Sequence, residues 1–219
     1  MPLRRSVKAA AHGGMPPWPE STVFTIGHST RTDADFVALL REAHVDLLVD
    51  VRSIPRSRAN PQFNADAFAQ TLKQAGIVYR HSSALGGLRH HHRGAPPSPN
   101  TLWRNDAFRN YADYAATDAF RTGLNELIGL TRHHSCAIMC AEAVWWRCHR
   151  RIIADHLLVE GIPVAHVMGH NKVDPATLTP GARILATGGL VYPAPSADGE
   201  HHTDTSRGLR QPATDSEMG

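Results

Sequence analysis

Cysteine is scarce in this sequence, and the little there is lies close together. The chain has three cysteines in 219 residues, and all three fall within the thirteen residues from Cys136 to Cys148. An odd number without regular spacing argues against a secreted scaffold held by disulfides. The cluster therefore marks either a reactive or metal-binding site, or a seam of small apolar side chains in a core.

Long apolar runs are also absent. No stretch approaches the roughly 18–20 apolar residues of a membrane-spanning helix. The segment MPLRRSVKAAAHGG is basic but lacks the apolar core of a secretory signal, and no internal repeat is visible. We expect a cytoplasmic protein without a membrane partner.

The net charge is small but unevenly distributed. The formal charge is +3, and residues from Asn171 onward contain four basic and six acidic residues, which gives −2 there and +5 for residues 1–170. Arginine dominates this excess, and its planar guanidinium group suits phosphate or carboxylate partners. A charge of this size does not by itself indicate nucleic-acid binding.

Strand-like and helix-like patterns alternate through the middle of the chain. Apolar runs such as TVFTIG, DLLVD and CAIMC are typical of buried strands, and segments such as DADFVALLREAH place apolar residues at helical spacing. Thr32 or Asp33 is expected to cap the first helix and Asn64 the second. The alternation predicts an α/β fold with three layers, namely a mainly parallel five-stranded sheet with helices on both faces.

The ends of the chain differ from this middle part in composition. Residues 1–21 are rich in glycine, proline and arginine without periodicity, which predicts a disordered lead. Residues 171–219 are rich in proline, threonine, glycine and aspartate, which predicts a mostly disordered tail in which only RILATGGLVY could order. A single α/β domain is therefore expected at residues 22–170.

Polar and reactive side chains follow every predicted strand. Because ligands of open parallel sheets bind beyond the carboxyl ends of the strands, we expect these side chains to face one crevice. The main candidates after successive strands are His28, Ser29, Asp50, Arg52, Cys140, Glu142 and His166.

Several of these candidates have two interpretations. His28 is either a general acid, base or metal ligand, or a cap of the turn that follows the strand. Asp50 and Arg52 share a face of an extended segment, so they form either a self-contained ion pair or a ligand-binding pair in which the carboxylate positions the guanidinium. Arg56 and Arg58 lie in a proline-punctuated loop near the same edge, where they either bind an anion or are solvated.

The three cysteines are expected to differ from one another. Cys136 is predicted to be a core residue, and Cys140 closes the strand. Cys148 is predicted in the first turn of the next helix, where unpaired N–H groups and nearby Arg150 would lower its thiol pKa. His149 would lean inward, and Glu142 in the intervening loop could carry a proton or orient another group.

Three chemistries fit this segment. One thiolate could act as a nucleophile assisted by histidine. Alternatively, Cys140, Cys148 and His149, with or without His28, could bind zinc or iron. The two cysteines could also form a reversible disulfide, or all of these residues could be structural.

The motifs TIGHST, DLLVDVRSIPRSR, LGG and CAEAVWWRCHR resemble those of the bacterial and archaeal proteins grouped as domain of unknown function 488. The resemblance implies an α/β domain and brings no established reaction. The residues it implies as the signature here are His28, Asp50, Arg52, Cys140, Glu142, Cys148, His149 and Arg150. Trp145, in the segment AVWW, either stacks a ring or base or packs on the core.

The leading hypothesis is a small enzyme, a hydrolase or transferase, that acts on an anionic substrate such as a nucleotide or nucleic acid. Its substrate-binding residues are expected to be Ser29, Arg52, Arg58, Arg150 and Trp145. The alternatives are a metalloprotein that uses the cysteines and a histidine, and a non-catalytic nucleic-acid-binding module. The sequence leaves the oligomeric state open.

Overall fold

The computed structural model of the protein describes residues 18–91, 94, 96–186 and 188–195. The strands are Val23–Gly27 (β1), Leu47–Asp50 (β2), Val78–His81 (β3), Cys136–Cys140 (β4), Val164–Gly169 (β5), Lys172–Pro175 (β6), Arg183–Ile184 (β7) and Leu190–Val191 (β8). The helices are Asp33–Glu42 (α1), Ala65–Gln74 (α2), Asp106–Tyr114 (α3), Asp118–Thr131 (α4) and Arg150–Val159 (α5).

Six of these strands form one mixed sheet in the order β3-β2-β4-β1-β5-β6. The first five are parallel, and β6 runs antiparallel to β5 at the edge. The predicted α/β fold with a mainly parallel sheet is therefore confirmed. The sixth strand was not predicted because Lys172–Pro175 is short, largely exposed and without an apolar pattern.

Helices cover both faces of the sheet. Apolar residues of α1 and α2 pack against one face, with Phe36, Leu40 and Phe68 fully buried there. Residues of α3, α4 and α5 pack against the other face in a second apolar cluster. From β1 to β3 the chain steps toward one edge of the sheet, and from β3 to β5 it steps back. With right-handed crossovers, this reversal places the two helix groups on opposite faces.

The predicted caps Thr32 and Asn64 both lie at helix starts, but only Thr32 makes the capping hydrogen bond. The Thr32 side chain accepts a hydrogen bond from the N–H of Asp35, as expected for the cap of α1. Asn64 occupies the cap position of α2, but its Oδ1 accepts from the N–H of Ser57 instead of a helix N–H. Asn64 thus stabilises the preceding loop.

The segment after Gly169 also packs against the α/β core. Composition predicts a mostly disordered segment from residue 171 onward, yet β6, β7 and β8 lie within it. Tyr192 is fully buried there, and its hydroxyl donates to Asp155 of α5. Residues 1–17 of the predicted lead and 196–219 of the predicted tail lie outside the described residues.

At the start of the described residues, Trp18 packs edge-on against Phe24 of β1. None of the helices in the described parts of the chain is both long and apolar enough to cross a lipid bilayer.

Candidate functional site

The carboxyl ends of β1, β2 and β4 lie side by side because β4 is inserted between the other two strands. Hydrogen bonds continue past the strand ends: His28 N–H donates to the Cys140 carbonyl, and Val51 N–H donates to that of Met139, each at 2.9 Å. The connections after β1 and β4 lead to helices on opposite faces of the sheet, and open α/β sheets form ligand crevices between such strands. The backbone therefore holds the predicted site residues against one another.

A cleft of about 470 Å³ opens at this edge of the sheet. Its walls come from the loops after β1, β2 and β4, the segment around Gly87 and the start of α3. The lining residues are His28, Arg52, Ser53, Ile54, Arg56, Ser57, Gly87, Leu88, Ala107, Phe108, Cys140, Ala141, Glu142, Arg147, Cys148 and His149.

An arginine–aspartate frame made of Asp50, Arg52, Tyr79 and His28 reaches one side of the cleft through Arg52 and His28. Asp50 is fully buried. Its carboxylate accepts from Arg52 Nε at 2.9 Å, from an Arg52 terminal nitrogen at 2.6 Å and from the Tyr79 hydroxyl at 2.7 Å. The Arg52 N–H also donates to this carboxylate, at 3.0 Å. All the strong acceptor positions of Asp50 are therefore occupied by the protein itself.

The remaining donors of Arg52 are also largely occupied. One terminal nitrogen donates to the Phe63 carbonyl at 2.7 Å, and the other lies 3.4 Å from His28 Nε2. Burial would lower the pKa of Arg52, but its bonds to Asp50 raise that pKa. Burial and the adjacent carboxylate raise the pKa of Tyr79. The frame is a closed network in which Arg52 remains charged.

His28 completes the frame as a neutral imidazole. Its Nδ1 lies 2.9 Å from the Ser29 carbonyl and must carry the proton that bonds to it, so Nε2 is left as an acceptor facing Arg52. The ring stacks on Phe63 with centroids 4.4 Å apart. Burial is the main reason that the pKa of His28 is lowered, and the positive charge of Arg52 adds to the effect.

The other side of the floor is a thiol–imidazole cluster made of Cys140, Cys148 and His149. The Nδ1 atom of His149 lies 3.8 Å from the Sγ of Cys140 and 3.6 Å from that of Cys148. The two sulfurs and one imidazole nitrogen all lie within 4.8 Å of one another. Both cysteines are free and buried, so two thiol sulfurs and an imidazole nitrogen lie together without a disulfide.

The backbone orients the His149 ring. Its Nε2 lies 3.0 Å from the Val51 carbonyl and donates to it, which directs the lone pair of Nδ1 toward the sulfurs. Tyr111 packs against the ring at a centroid distance of 4.9 Å. A Cβ atom at Gly87 would lie 2.4 Å from Nδ1, so only glycine at position 87 leaves room for the ring.

Arg150 supports the cluster from behind. Its Nε donates to the Cys148 sulfur at 3.2 Å, and a terminal nitrogen donates to the Glu142 carbonyl at 2.5 Å. Burial opposes ionisation of Cys148, but the Cys140 thiol, His149 and Arg150 together lower its pKa well below the usual value. Cys140 gives a hydrogen bond to Cys148. This bond is the largest reason that the pKa of Cys140 is raised, and burial is the second. The hydrogen bond from Arg150 therefore favours the thiolate form at Cys148 over that at Cys140.

The predictions for the individual cysteines are partly confirmed. Cys136 is fully buried in the core, where burial raises its pKa to about 12. Cys140 ends β4 as predicted. The prediction that Cys148 lies in the first turn of α5 is wrong. A short 3₁₀ turn occupies Trp145–Arg147, and α5 begins only at Arg150. Cys148 is extended and precedes His149, the residue that caps the helix.

Not every predicted site residue reaches the cleft. Trp145 stacks on His166 at a centroid distance of 4.2 Å and is absent from the cleft lining. Arg58 is exposed outside the lining, and Arg150 is buried behind the cluster. Ser29 contributes its backbone, with its N–H donating to the Ala141 carbonyl.

Other lining residues were not predicted as site residues. Ile54 and Leu88 stand at the mouth with 64% and 59% of their surface exposed. Nothing in the sequence marks an isoleucine and a leucine in separate loops as residues of a binding site. Arg56, for which anion binding was one of two interpretations, also lines the cleft, as does Arg147 from the arginine-rich segment around Cys148.

The chain matches a known protein family. The family model described as "Domain of unknown function DUF488" matches residues 32–157, which is more than half of the chain. This match confirms the resemblance drawn from the motifs, and the matched range includes every member of the thiol–imidazole cluster. No curated protein and no solved structure matches the chain.

Proposed function

The chain belongs to the family described as domain of unknown function DUF488, and we propose that it is an enzyme acting on a small anionic substrate. The thiol–imidazole cluster is the reacting centre, and arginines at the cleft mouth hold the anion. The observation that carries this proposal is the convergence of two thiols and an imidazole at the floor of a cleft with arginines at its mouth.

The charge of the cleft supports an anionic substrate. Three arginines line it, against one carboxylate, Glu142. Arg52 is paired with Asp50, so Arg56 and Arg147, both exposed, are the guanidinium groups free to meet a ligand. Such groups bind phosphate or carboxylate oxygens through two parallel N–H bonds.

The apolar part of the lining narrows the substrate class. Ile54, Leu88 and Phe108 line the cleft together with the arginines. Exposed apolar side chains in a cleft contribute binding energy when a ligand covers them. An anion that carries a planar or apolar group, as a nucleotide does, matches this combination of surfaces.

Glu142 is the proton carrier of the proposed site. It is exposed within the cleft, and its peptide is fixed because Arg150 binds its carbonyl. Gly27 packs against the same peptide so closely that a Cβ atom there would lie 1.8 Å from the Glu142 carbonyl oxygen. A carboxylate on a fixed backbone can pass a proton between substrate and solvent.

The test is a turnover screen with a panel of phosphate esters that includes AMP and p-nitrophenyl phosphate. We expect saturable turnover of at least one member, its loss in Cys148→Ser, and a raised KM in Arg56→Ala and Arg147→Ala. Arg41→Ala, an exposed arginine near the end of α1, is the matched control and should leave both constants unchanged.

Calorimetric titration with the same compounds separates binding from chemistry. Binding without turnover would favour a non-catalytic nucleotide- or nucleic-acid-binding module. Absence of both binding and turnover across the panel, or full activity of Cys148→Ser, would overturn the proposal.

A further inference from the structure

The spacing of the donor atoms in the thiol–imidazole cluster is that of a metal site. Zinc binds cysteine sulfur at about 2.3 Å and histidine nitrogen at about 2.0–2.1 Å in tetrahedral geometry, which sets the sulfur–nitrogen edge at about 3.6 Å. The two sulfur–nitrogen distances here are 3.8 Å and 3.6 Å. The cluster thus needs little movement to receive a tetrahedral ion.

A hydrogen bond from one thiol to His149 does not account for the position of the second sulfur. His149 Nδ1 has a single lone pair because Nε2 carries the proton given to Val51. One lone pair cannot be aimed well at two sulfurs at once, yet the two sulfurs are nearly equidistant from it. A cation placed between the three atoms satisfies all of them together.

The surroundings provide the outer support that metal ligands need. A ligating histidine characteristically donates its other ring N–H to a carbonyl or carboxylate, as His149 does to Val51. Arg150 donates to the Cys148 sulfur and stabilises it as a thiolate, the form that binds metal. Two thiolates also neutralise the charge of a divalent cation.

The site has three protein ligands and one open direction. In the described parts of the chain, no further histidine, cysteine or carboxylate joins the three donors. All three residues line the cleft, so a fourth coordination position would face it. Structural zinc sites have four protein ligands, whereas catalytic sites have three and keep one position for water or substrate.

We propose that Cys140, Cys148 and His149 bind one zinc ion and leave its fourth position open to the cleft. Zinc is favoured over harder cations because two of the three ligands are thiolates. The catalytic meaning of the ion rests on the proposed function: it would hold a water molecule or the substrate anion beside Glu142. Metal binding itself does not depend on that function.

The experiment uses the full chain without an affinity tag. We expect elemental analysis to find about one zinc per chain. After exchange with cobalt, absorption spectra should contain the visible bands of four-coordinate Co²⁺ and sulfur-to-cobalt charge transfer in the near ultraviolet. Cys140→Ser and Cys148→Ser should each lose about half of the charge-transfer intensity and bind the ion at least about tenfold more weakly.

Cys136→Ala is the matched control because Cys136 is buried in the core and lies outside the cluster. It should keep one zinc per chain and the full cobalt spectrum. Because a cluster variant could fail to fold, each variant is also checked by circular dichroism, and the wild-type cobalt spectrum tests the site without any substitution.

The outcomes separate this inference from the proposed function. A wild-type protein that takes up no stoichiometric zinc or cobalt overturns the metal site, and thiol-dependent turnover would then leave the proposed function standing. Stoichiometric metal with no anion binding would overturn the proposed function and leave the metal site standing. A cobalt spectrum unchanged in Cys148→Ser would place the ion elsewhere.

Discussion

The arginine–aspartate frame and the thiol–imidazole cluster lie at the carboxyl ends of neighbouring strands, yet they differ in how their bonding capacity is used. In the frame, Asp50 accepts hydrogen bonds from Arg52 and Tyr79, and Arg52 donates to Phe63 as well. In the cluster, one imidazole nitrogen faces two sulfurs, Cys140 bonds to Cys148, and Arg150 is the one donor from outside the cluster among the described residues. The frame is complete without a ligand, and the cluster is not.

We infer from this difference that the frame is structural and that the cluster is functional. Buried charged groups whose hydrogen bonds are all made within the protein fix the local geometry, but they have few donors or acceptors left to bind a ligand. Donor atoms that converge without partners keep their reactivity. Removing a member of the frame should therefore reduce stability, whereas removing a member of the cluster should reduce metal binding and activity.

Asp50→Ala breaks the frame most directly and has the largest expected effect. It leaves the buried Arg52 guanidinium without a counter-charge, which costs about 3–5 kcal/mol. Urea unfolding followed by circular dichroism measures the loss. Asp106→Ala, which removes the exposed ion pair with Arg109, is the control and should change stability little. A loss for Asp50→Ala as small as the control would mean that the frame is not structural.

Acid should destabilise the scaffold through its buried histidines. Burial, reinforced by nearby arginines, lowers the pKa values of His156 and His166 to about 4 from 6.5. The unfolded chain therefore takes up protons first, so stability is full above about pH 6.5 and falls by on the order of 3 kcal/mol per histidine as the pH drops toward 4.

His156→Leu sharpens this prediction. His156 Nε2 has no hydrogen-bond partner among the described residues, so the substitution removes a titrating group without breaking a bond to that atom. The variant should lose less stability than the wild type between pH 6.5 and pH 4, as measured by urea unfolding at each pH. An identical pH dependence in both proteins would contradict the assignment.

Gly87→Ala acts on the cluster and spares the frame. The added methyl group would lie 2.4 Å from His149 Nδ1, and the ring cannot retreat without losing its bond to Val51. We expect metal affinity to fall by about 10–100-fold, as when the support of a ligand is lost. Competition with a chromophoric chelator measures it. Gly129→Ala, where nothing lies within 4 Å, should keep the wild-type affinity.

Tyr79→Phe is the mildest test of the frame. It removes one donor to Asp50 and leaves the bonds from Arg52 in place. We expect a loss of about 1 kcal/mol in unfolding free energy with unchanged metal affinity. A fall in metal affinity would show that the frame and the cluster are coupled, which would break the distinction between them.

The sequence predicted the sheet, the helices and the edge at which the site lies. Apolar runs marked the five parallel strands, and their carboxyl ends carry residues that do meet. The roles of these residues depended on contacts between distant segments. Whether Asp50 faced a ligand was decided by Tyr79 on β3, and Trp145 found its stacking partner in His166 on β5.

The features that local pattern could not predict have physical reasons. β6 is an exposed edge strand, so it lacks the apolar alternation that marks a half-buried strand. The requirement for glycine at position 87 arises only once His149 is placed against it. A motif can bring reactive residue types to one edge of a sheet, but three-dimensional packing decides which of them remain available.

X-ray absorption at the zinc edge tests the central claim most directly. Protein loaded with one equivalent of zinc should give two sulfur neighbours at about 2.3 Å, with nitrogen or oxygen neighbours at about 2.0–2.1 Å completing four-coordination. A first shell of nitrogen and oxygen alone would place the ion on other side chains and contradict the assignment of Cys140, Cys148 and His149 as the centre of the cleft.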